Sequence, residues 1–220
     1  MLKIGHRGAR LYEPENTLRS FKRALDLGVD AVEFDVRKTK DGKIVVIHDE
    51  KVDRTTNGKG LVKDLTLKEI KLFDAGQGER IPTLEETLDF MDREAKMLIE
   101  LKENDLEENV LNLVSHAGLT DNVIIISFLE EALRRVRELN SKVETGLIYS
   151  RHKNPVKTAL ELKANYLLPL YRFTHSADVE KAHKNGLKVI VWTINTPEEV
   201  EEYVKKSVDG ITSDKPDILM

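Results

Sequence analysis

Apolar, β-branched runs alternate with helix-period runs along all 220 residues, and this alternation constrains the fold more than any other feature. Strands are predicted over residues 2–6, 31–36, 44–48, 97–101, 123–127, 144–149, 166–170, 188–193 and 209–212. Helices are predicted over 17–27, 84–93, 106–117, 129–139, 155–163, 177–184 and 197–205. Their ends carry chemical signals. Thr83 and Glu86 have the spacing of a capping box. Thr196-Pro197-Glu198-Glu199 sets a cap, a first-turn proline and two acids in order. Gly28, Gly118 and Gly186 stand where helices should stop.

Nine strands are one too many for a simple eightfold barrel, and turn chemistry identifies the extra one. Only the Asp41-Gly42 turn separates the run ending near Lys40 from the run beginning at Lys43. That dipeptide is a hairpin signal, and a parallel connection needs roughly a dozen residues. The run over 44–48 must therefore return antiparallel as a hairpin arm. Eight strands remain, joined by connections long enough for right-handed crossovers. The expected class is α/β: a single (β/α)8 TIM barrel over 1–220 with a small insertion after the second barrel strand. The insertion covers about 50–80, is rich in Gly and Lys, and contains one short helical run over 67–72. A stretch of this length reads as a cap over the site, with a surface loop as the alternative.

Composition removes several functions. Hydrophobic residues make up 40% and charged residues 34%, as in a folded globular chain. The net charge of −4 offers no basic field for nucleic acid. The absence of cysteine excludes disulfides, thiolate metal sites and a cysteine nucleophile. No secretory leader is recognisable at Met1-Leu2-Lys3-Ile4-Gly5, and no run reaches the ~18–20 apolar residues of a membrane span. A cytoplasmic location without stable membrane association is expected. Composition does not bear on the oligomeric state.

Five polar clusters fall at strand ends: His6-Arg7-Gly8, Glu33-Phe34-Asp35, His48-Asp49, Glu100-Leu101-Lys102 and Trp192-Thr193-Ile194-Asn195. Sites in such barrels lie at the carboxyl ends of the strands. Glu33 and Asp35 are two apart and share a strand face, as do Glu100 and Lys102. Three convergent carboxylates suit a hard divalent cation, Ca²⁺ or Mg²⁺. The alternative is ion pairing of the acids with Arg37, Lys38 or Lys102. His6 and His48 come from different strands and can divide acid and base work across one scissile bond. Arg7 can engage a phosphate bidentately. Asn16, in the loop after the first strand, is a candidate for a hydrogen bond in the site. Trp192 can wall a substrate pocket or simply pack the barrel top. His152 and His175 also follow strands but have no supporting cluster.

These residues resemble the glycerophosphodiester phosphodiesterase family. His6-Arg7-Gly8, Glu15-Asn16-Thr17, Glu33-x-Asp35-Val36, Thr39-Lys40-Asp41-Gly42 and His48-Asp49 match its N-terminal signature in order and spacing. Glu100-x-Lys102, Trp192-Thr193-x-Asn195 and Gly210-Ile211-x-Ser213-Asp214-x-Pro216 match its later marks. The resemblance implies a TIM barrel, hydrolysis of glycerophosphodiesters to glycerol 3-phosphate and an alcohol, and a role in lipid metabolism. It implies His6 and His48 as the acid–base pair and Glu33, Asp35 and Glu100 as metal ligands. Arg7 and Lys102 would contact the phosphate. Two other classes remain open. One is a carbonyl-lyase barrel with Lys102 as a Schiff-base amine, and the other a noncatalytic ligand-binding barrel. A phosphodiester enzyme acting on phospholipids is the nearest rival.

Overall fold

The computed structural model describes residues Met1–Met220. Its strands are β1 (Leu2–His6), β2 (Ala31–Lys38), β3 (Ile44–Val46), β4 (Lys96–Leu101), β5 (Val123–Ser127), β6 (Glu144–Tyr149), β7 (Tyr166–Pro169), β8 (Lys188–Val191) and β9 (Gly210–Ser213). All but β3 run parallel around a barrel, which the β1–β2 and β1–β9 pairings close. The helices are α1 (Leu18–Asp26), α2 (Leu67–Ile70), α3 (Leu84–Met91), α4 (Glu107–His116), α5 (Glu130–Leu139), α6 (Pro155–Glu161), α7 (Ser176–Lys184) and α8 (Pro197–Lys205). The expected (β/α)8 barrel is therefore the observed one. β3 is the antiparallel arm that the Asp41-Gly42 turn requires, with Val46 opposite Val36 and Ile44 opposite Lys38. That partner lengthens β2 beyond the predicted end at Val36.

Strand alternation builds two apolar layers. Val32, Phe34, Val36, Met97, Ile99 and Leu101 face outward into the core beneath the helices. Ile4, Ala31, Leu98, Ile124, Ile148 and Ile190 belong to the cluster that fills the barrel interior. The same period of two carries Glu33 and Asp35 inward above Ala31, and Glu100 inward above Leu98. Strand register then sets their neighbours: His6 lies opposite Glu33, and Asp35 opposite Glu100.

Residues 50–80 pack a small cluster of their own. Val52, Val62, Ile70 and Ala75 bury themselves against Val45, Ile47 and Ile81. A complete capping box of Thr66 and Glu69 starts α2. The segment is thus built onto the hairpin arm rather than laid over the barrel as an unpacked loop. No helix is long and apolar enough to cross a membrane.

One glycine sets how closely the first loop approaches α1. Gly8 has φ +82°, and a Cβ there would lie 2.6 Å from the Ser20 carbonyl carbon. Gly8→Ala is expected to cost ~2–3 kcal/mol, from backbone strain and overpacking together. It should lower the urea midpoint with an unchanged m-value. A wild-type midpoint would rule out this close approach.

Candidate active site

The acids of β2 and β4 meet at the carboxyl end of the barrel. Glu33, Asp35 and Glu100 are all buried, and one oxygen from each lies within 4.8 Å of the other two. Such a cluster is costly unless compensated. Arg7 and Lys102 supply compensation. Arg7 Nε lies 3.2 Å from Asp35 Oδ2. Lys102 Nζ lies 2.6 Å from Glu100 Oε1 and 3.5 Å from Asp35 Oδ1. The Arg7 backbone N–H donates to Glu33 Oε2 at 3.0 Å. Ion pairing with Lys102 and convergence of the acids therefore coexist. Arg37 instead pairs with Glu103 and donates to the His48 carbonyl.

Compensation is incomplete, and the pKa shifts reflect it. Burial, with Asp35 and Glu100 nearby, pushes the Glu33 carboxyl well above its ordinary value. Burial and Asp35 push Glu100 up to about 7, against the pull of Lys102. Burial also opposes ionisation of Asp35, but Arg7 and Lys102 outweigh it and hold this carboxyl below its ordinary value. Asp35 Oδ1 is buried without a hydrogen-bond partner, and so is Arg7 Nε. The donor set fits a hard divalent cation: three buried carboxylates with one orphaned oxygen among them. The Arg7 Nε–H makes no aligned hydrogen bond but lies against Asp35 Oδ2, so this carboxylate meets the guanidinium charge.

Each imidazole is backed by a carboxylate. His6 Nδ1 lies 2.6 Å from Asp214 Oδ1, and His48 Nδ1 lies 2.6 Å from Asp49 Oδ1. A carboxylate only accepts, so Nδ1 carries the proton in both rings and Nε2 is left for chemistry. His6 Nε2 sits 3.8 Å from Glu33 Oε2. Asp214 is itself held by Asn195, whose amide donates at 2.9 Å and whose carbonyl oxygen accepts the Asp214 N–H. Burial pushes both histidines below their ordinary value, partly offset by Asp214 for His6 and by Asp35 and Asp49 for His48.

A cavity of about 180 Å³ joins these groups. His6, Arg7, Glu33, His48, Glu100 and Lys102 line one side of it, and Ile126, Phe128, Ile148, Leu168 and Trp192 the other. Trp192 does more than pack the barrel top. Its Nε1 donates to the Leu168 carbonyl at 2.8 Å, and its ring meets Phe128 edge-on at 5.7 Å. No residue of 50–80 lines this cavity. Residues Glu50, Leu61, Val62 and Lys63 line a neighbouring one that shares Lys102. A larger surface cavity, about 340 Å³, lies among β6, α6 and α7 and contains none of the acids or paired imidazoles.

Most of the predicted residues converge, with two differences in placement. Asn16 reaches the site, but its amide is taken by Asp35 Oδ2 at 2.9 Å and it does not line the cavity. Its contact is with an acid rather than with the open space expected for substrate. His152 lines the larger, separate cavity near Glu130, and His175 is exposed at the start of α7. Sequence reasoning gave no role to Asp214, Asn195, Glu15, Phe128 or Arg54. The first three stand within the quoted motifs, which was the available signal. Nothing in the local sequence marks Phe128 or Arg54.

Known proteins share this arrangement of the chain. The sequence profile of the glycerophosphoryl diester phosphodiesterase family matches residues 6–218. A glycerophosphodiester phosphodiesterase of Caldanaerobacter subterraneus subsp. tengcongensis is 42% identical, across 100% of this chain and 96% of that one. The crystal structure of a glycerophosphodiester phosphodiesterase from Agrobacterium tumefaciens is similar with a TM-score of 0.90 and 32% identity, covering 99% of this chain and 98% of that one. An Oleispira antarctica phosphodiesterase in complex with the product sn-glycerol-3-phosphate has a TM-score of 0.89 and 30% identity, covering 97% of this chain and 93% of that one. With a family match across almost its whole length and relatives above 30% identity, this chain belongs to the glycerophosphoryl diester phosphodiesterase family.

Proposed function

We propose that the protein hydrolyses glycerophosphodiesters to glycerol 3-phosphate and an alcohol, using His6 and His48 as acid and base beside a divalent cation, Ca²⁺ or Mg²⁺. One observation carries the reading: two carboxylate-backed imidazoles and two members of a buried acid triad, Glu33 and Glu100, border a single small cavity, with Asp35 directly behind them. Glu33, Asp35 and Glu100 would hold the cation, which would supply Lewis-acid positive charge to the phosphodiester.

The chain's own groups do the rest. Arg7 and Lys102 hold the phosphate and offset charge that develops on its oxygens, a contribution of ~3–4 kcal/mol per donor at comparable sites. One Nε2 takes the proton of the nucleophile, either water, which gives glycerol 3-phosphate directly, or the substrate's own 2-hydroxyl, which gives a cyclic phosphate that water then opens to glycerol 3-phosphate. The other Nε2 gives a proton to the departing alkoxide. Asp214 and Asp49 hold Nδ1–H in both rings, so the neutral ring accepts the nucleophile's proton at Nε2, while the acid is the imidazolium, protonated at both nitrogens, and gives its Nε2 proton. The apolar side of the cavity, with Phe128 and Trp192, packs against the glycerol carbons and excludes water. A cavity of about 180 Å³ matches a glycerophosphate better than a diacyl phospholipid. Residues 50–80 act as a cap at one remove, since they border the site through the adjoining cavity. A cytoplasmic setting is part of this reading, and fractionation of the source cells checks it.

The Schiff-base alternative finds no support, because Lys102 stands beside a convergent acid triad and two carboxylate-backed imidazoles, groups that serve a cation and a phosphodiester rather than a carbonyl. The expected result with glycerophosphocholine, glycerophosphoethanolamine and glycerophosphoglycerol is metal-dependent release of glycerol 3-phosphate. Release of the headgroup phosphate instead, or no turnover with Ca²⁺, Mg²⁺ or Mn²⁺, would sink the reading.

A further inference from the structure

Arg54 lies in the inserted segment, away from the cavity lining, yet it bridges the two halves of the site. Its Nε and Nη2 donate to Asp49 Oδ2 and Oδ1 at 2.6 and 3.0 Å. Its Nη1 and Nη2 donate to Glu15 Oε2 and Oε1 at 2.9 and 2.8 Å. One guanidinium thus makes two bidentate carboxylate pairs. The oxygens that share Nη2 are the informative ones. Asp49 Oδ1 is also the partner of His48 Nδ1, and Glu15 Oε1 also accepts from Arg7 Nη1 at 2.8 Å. Arg7 in turn faces Asp35. An unbroken ladder runs from His48 through Asp49, Arg54 and Glu15 to Arg7.

We infer that Arg54 is a positioning residue, which fixes His48 and Arg7 relative to each other by clamping Asp49 and Glu15 at once. The inference rests on the function proposed above. A single exposed ion pair contributes little, and Arg54 is about half exposed, with 47% of its side chain accessible. The planar fork differs from such a pair because it fixes direction as well as charge. Glu15 is well buried, and although burial opposes its ionisation, Arg54 and Arg7 hold its carboxyl down at about 2. Without Arg54, Asp49 is free to turn to solvent and loses its hold on the His48 ring. Glu15 then has only Arg7 to satisfy it. Lysine keeps the charge but has three N–H groups on one point, which cannot serve two carboxylates in the same plane.

The test compares Arg54→Ala and Arg54→Lys with the wild type in kcat, KM and the downfield His48 Nδ1–H proton resonance, assigned with His48→Gln. Calorimetric metal titration normalises for folded protein, because Glu33, Asp35 and Glu100 are untouched. Both variants should lose about 10–100-fold in kcat/KM, the range for groups that orient others. The loss should divide between kcat, through His48, and KM, through Arg7. The resonance should shift or broaden in both. Asp49→Asn supplies a second route: adding Arg54→Ala to it should lower kcat by less than Arg54→Ala does alone. Wild-type kcat, KM and resonance in Arg54→Lys would overturn the positioning role, leaving only a charge effect. A wild type that turns over no glycerophosphodiester would defeat the functional reading instead, and the resonance comparison would still decide whether Arg54 orients His48.

Discussion

His6→Ala and His48→Ala should each lower kcat by roughly 10²–10⁴-fold, the usual span for a general acid or base. Neither ring supports the barrel core: His6 and His48 face the cavity and are tied only to Asp214, Asp49 and neighbouring site groups. Folding and metal binding should therefore survive both changes. In the wild type the pH–rate profile should be bell-shaped. The base must be neutral, so turnover falls as pH drops through its pKa. The acid must be protonated, so turnover falls again as pH rises through its own. Burial lowers both imidazoles below 6.5 in the free protein, which sets the acidic limb on the low side of that value. Each single variant should lose the limb of the residue removed, which assigns base and acid. Undiminished kcat in either variant, with fold and metal retained, would remove that histidine from the mechanism.

Removal of the cation should be comparably severe. Chelation should abolish turnover and added Ca²⁺ or Mg²⁺ should restore it. Glu33→Gln and Asp35→Asn should each reduce kcat/KM by at least about 10²-fold, the scale of losing one preorganised charge contact in a water-poor site. The metal-free protein should show the opposite trend in stability. Three buried acids repel one another, so Glu33→Gln should leave the metal-free protein at least as stable as wild type. The pH dependence follows from the raised carboxyls. A group raised in the folded state contributes its stability below its unfolded pKa and loses it as pH rises through the folded value. For Glu100 that window runs from 4.5 to about 7. The rise in Tm on adding cation should therefore grow across this interval, since binding replaces protons. A cation-induced rise in Tm that is independent of pH, or full activity in rigorously metal-free protein, would contradict this assignment.

Much of this was legible in the chain because it is local. Apolar, β-branched runs placed β1, β5 and β6 at their observed ends, and helix period with the Thr196-Pro197 cap placed α8 at its observed bounds. The Asp41-Gly42 turn forced β3 to be antiparallel, and that single deduction reduced nine strands to a barrel of eight. The period of two along a strand showed that Glu33 and Asp35 share a face. The segment over 50–80 was legible only as an exception to the repeat. Its packing on Val45 and Ile47 depends on hairpin side chains that local sequence does not connect to it.

The sequence by itself determined the order of elements, the closure count and the chemistry available at each strand end, because these follow from backbone periodicity and turn stereochemistry. Only the tertiary structure decided which charges meet. Asp214 reaches His6 across a separation of 208 positions because β9 closes the barrel against β1. Arg54 joins Glu15 to Asp49 because the inserted segment folds back beside the first loop. Asn16 turns to Asp35 rather than to open space because β1 and β2 are neighbours. The raised carboxyls of Glu33 and Glu100 likewise arise from burial and mutual approach, which exist only once the strands are side by side. Electrostatic energies depend on distance and solvent exclusion, and neither quantity is written in the spacing of residues along a chain.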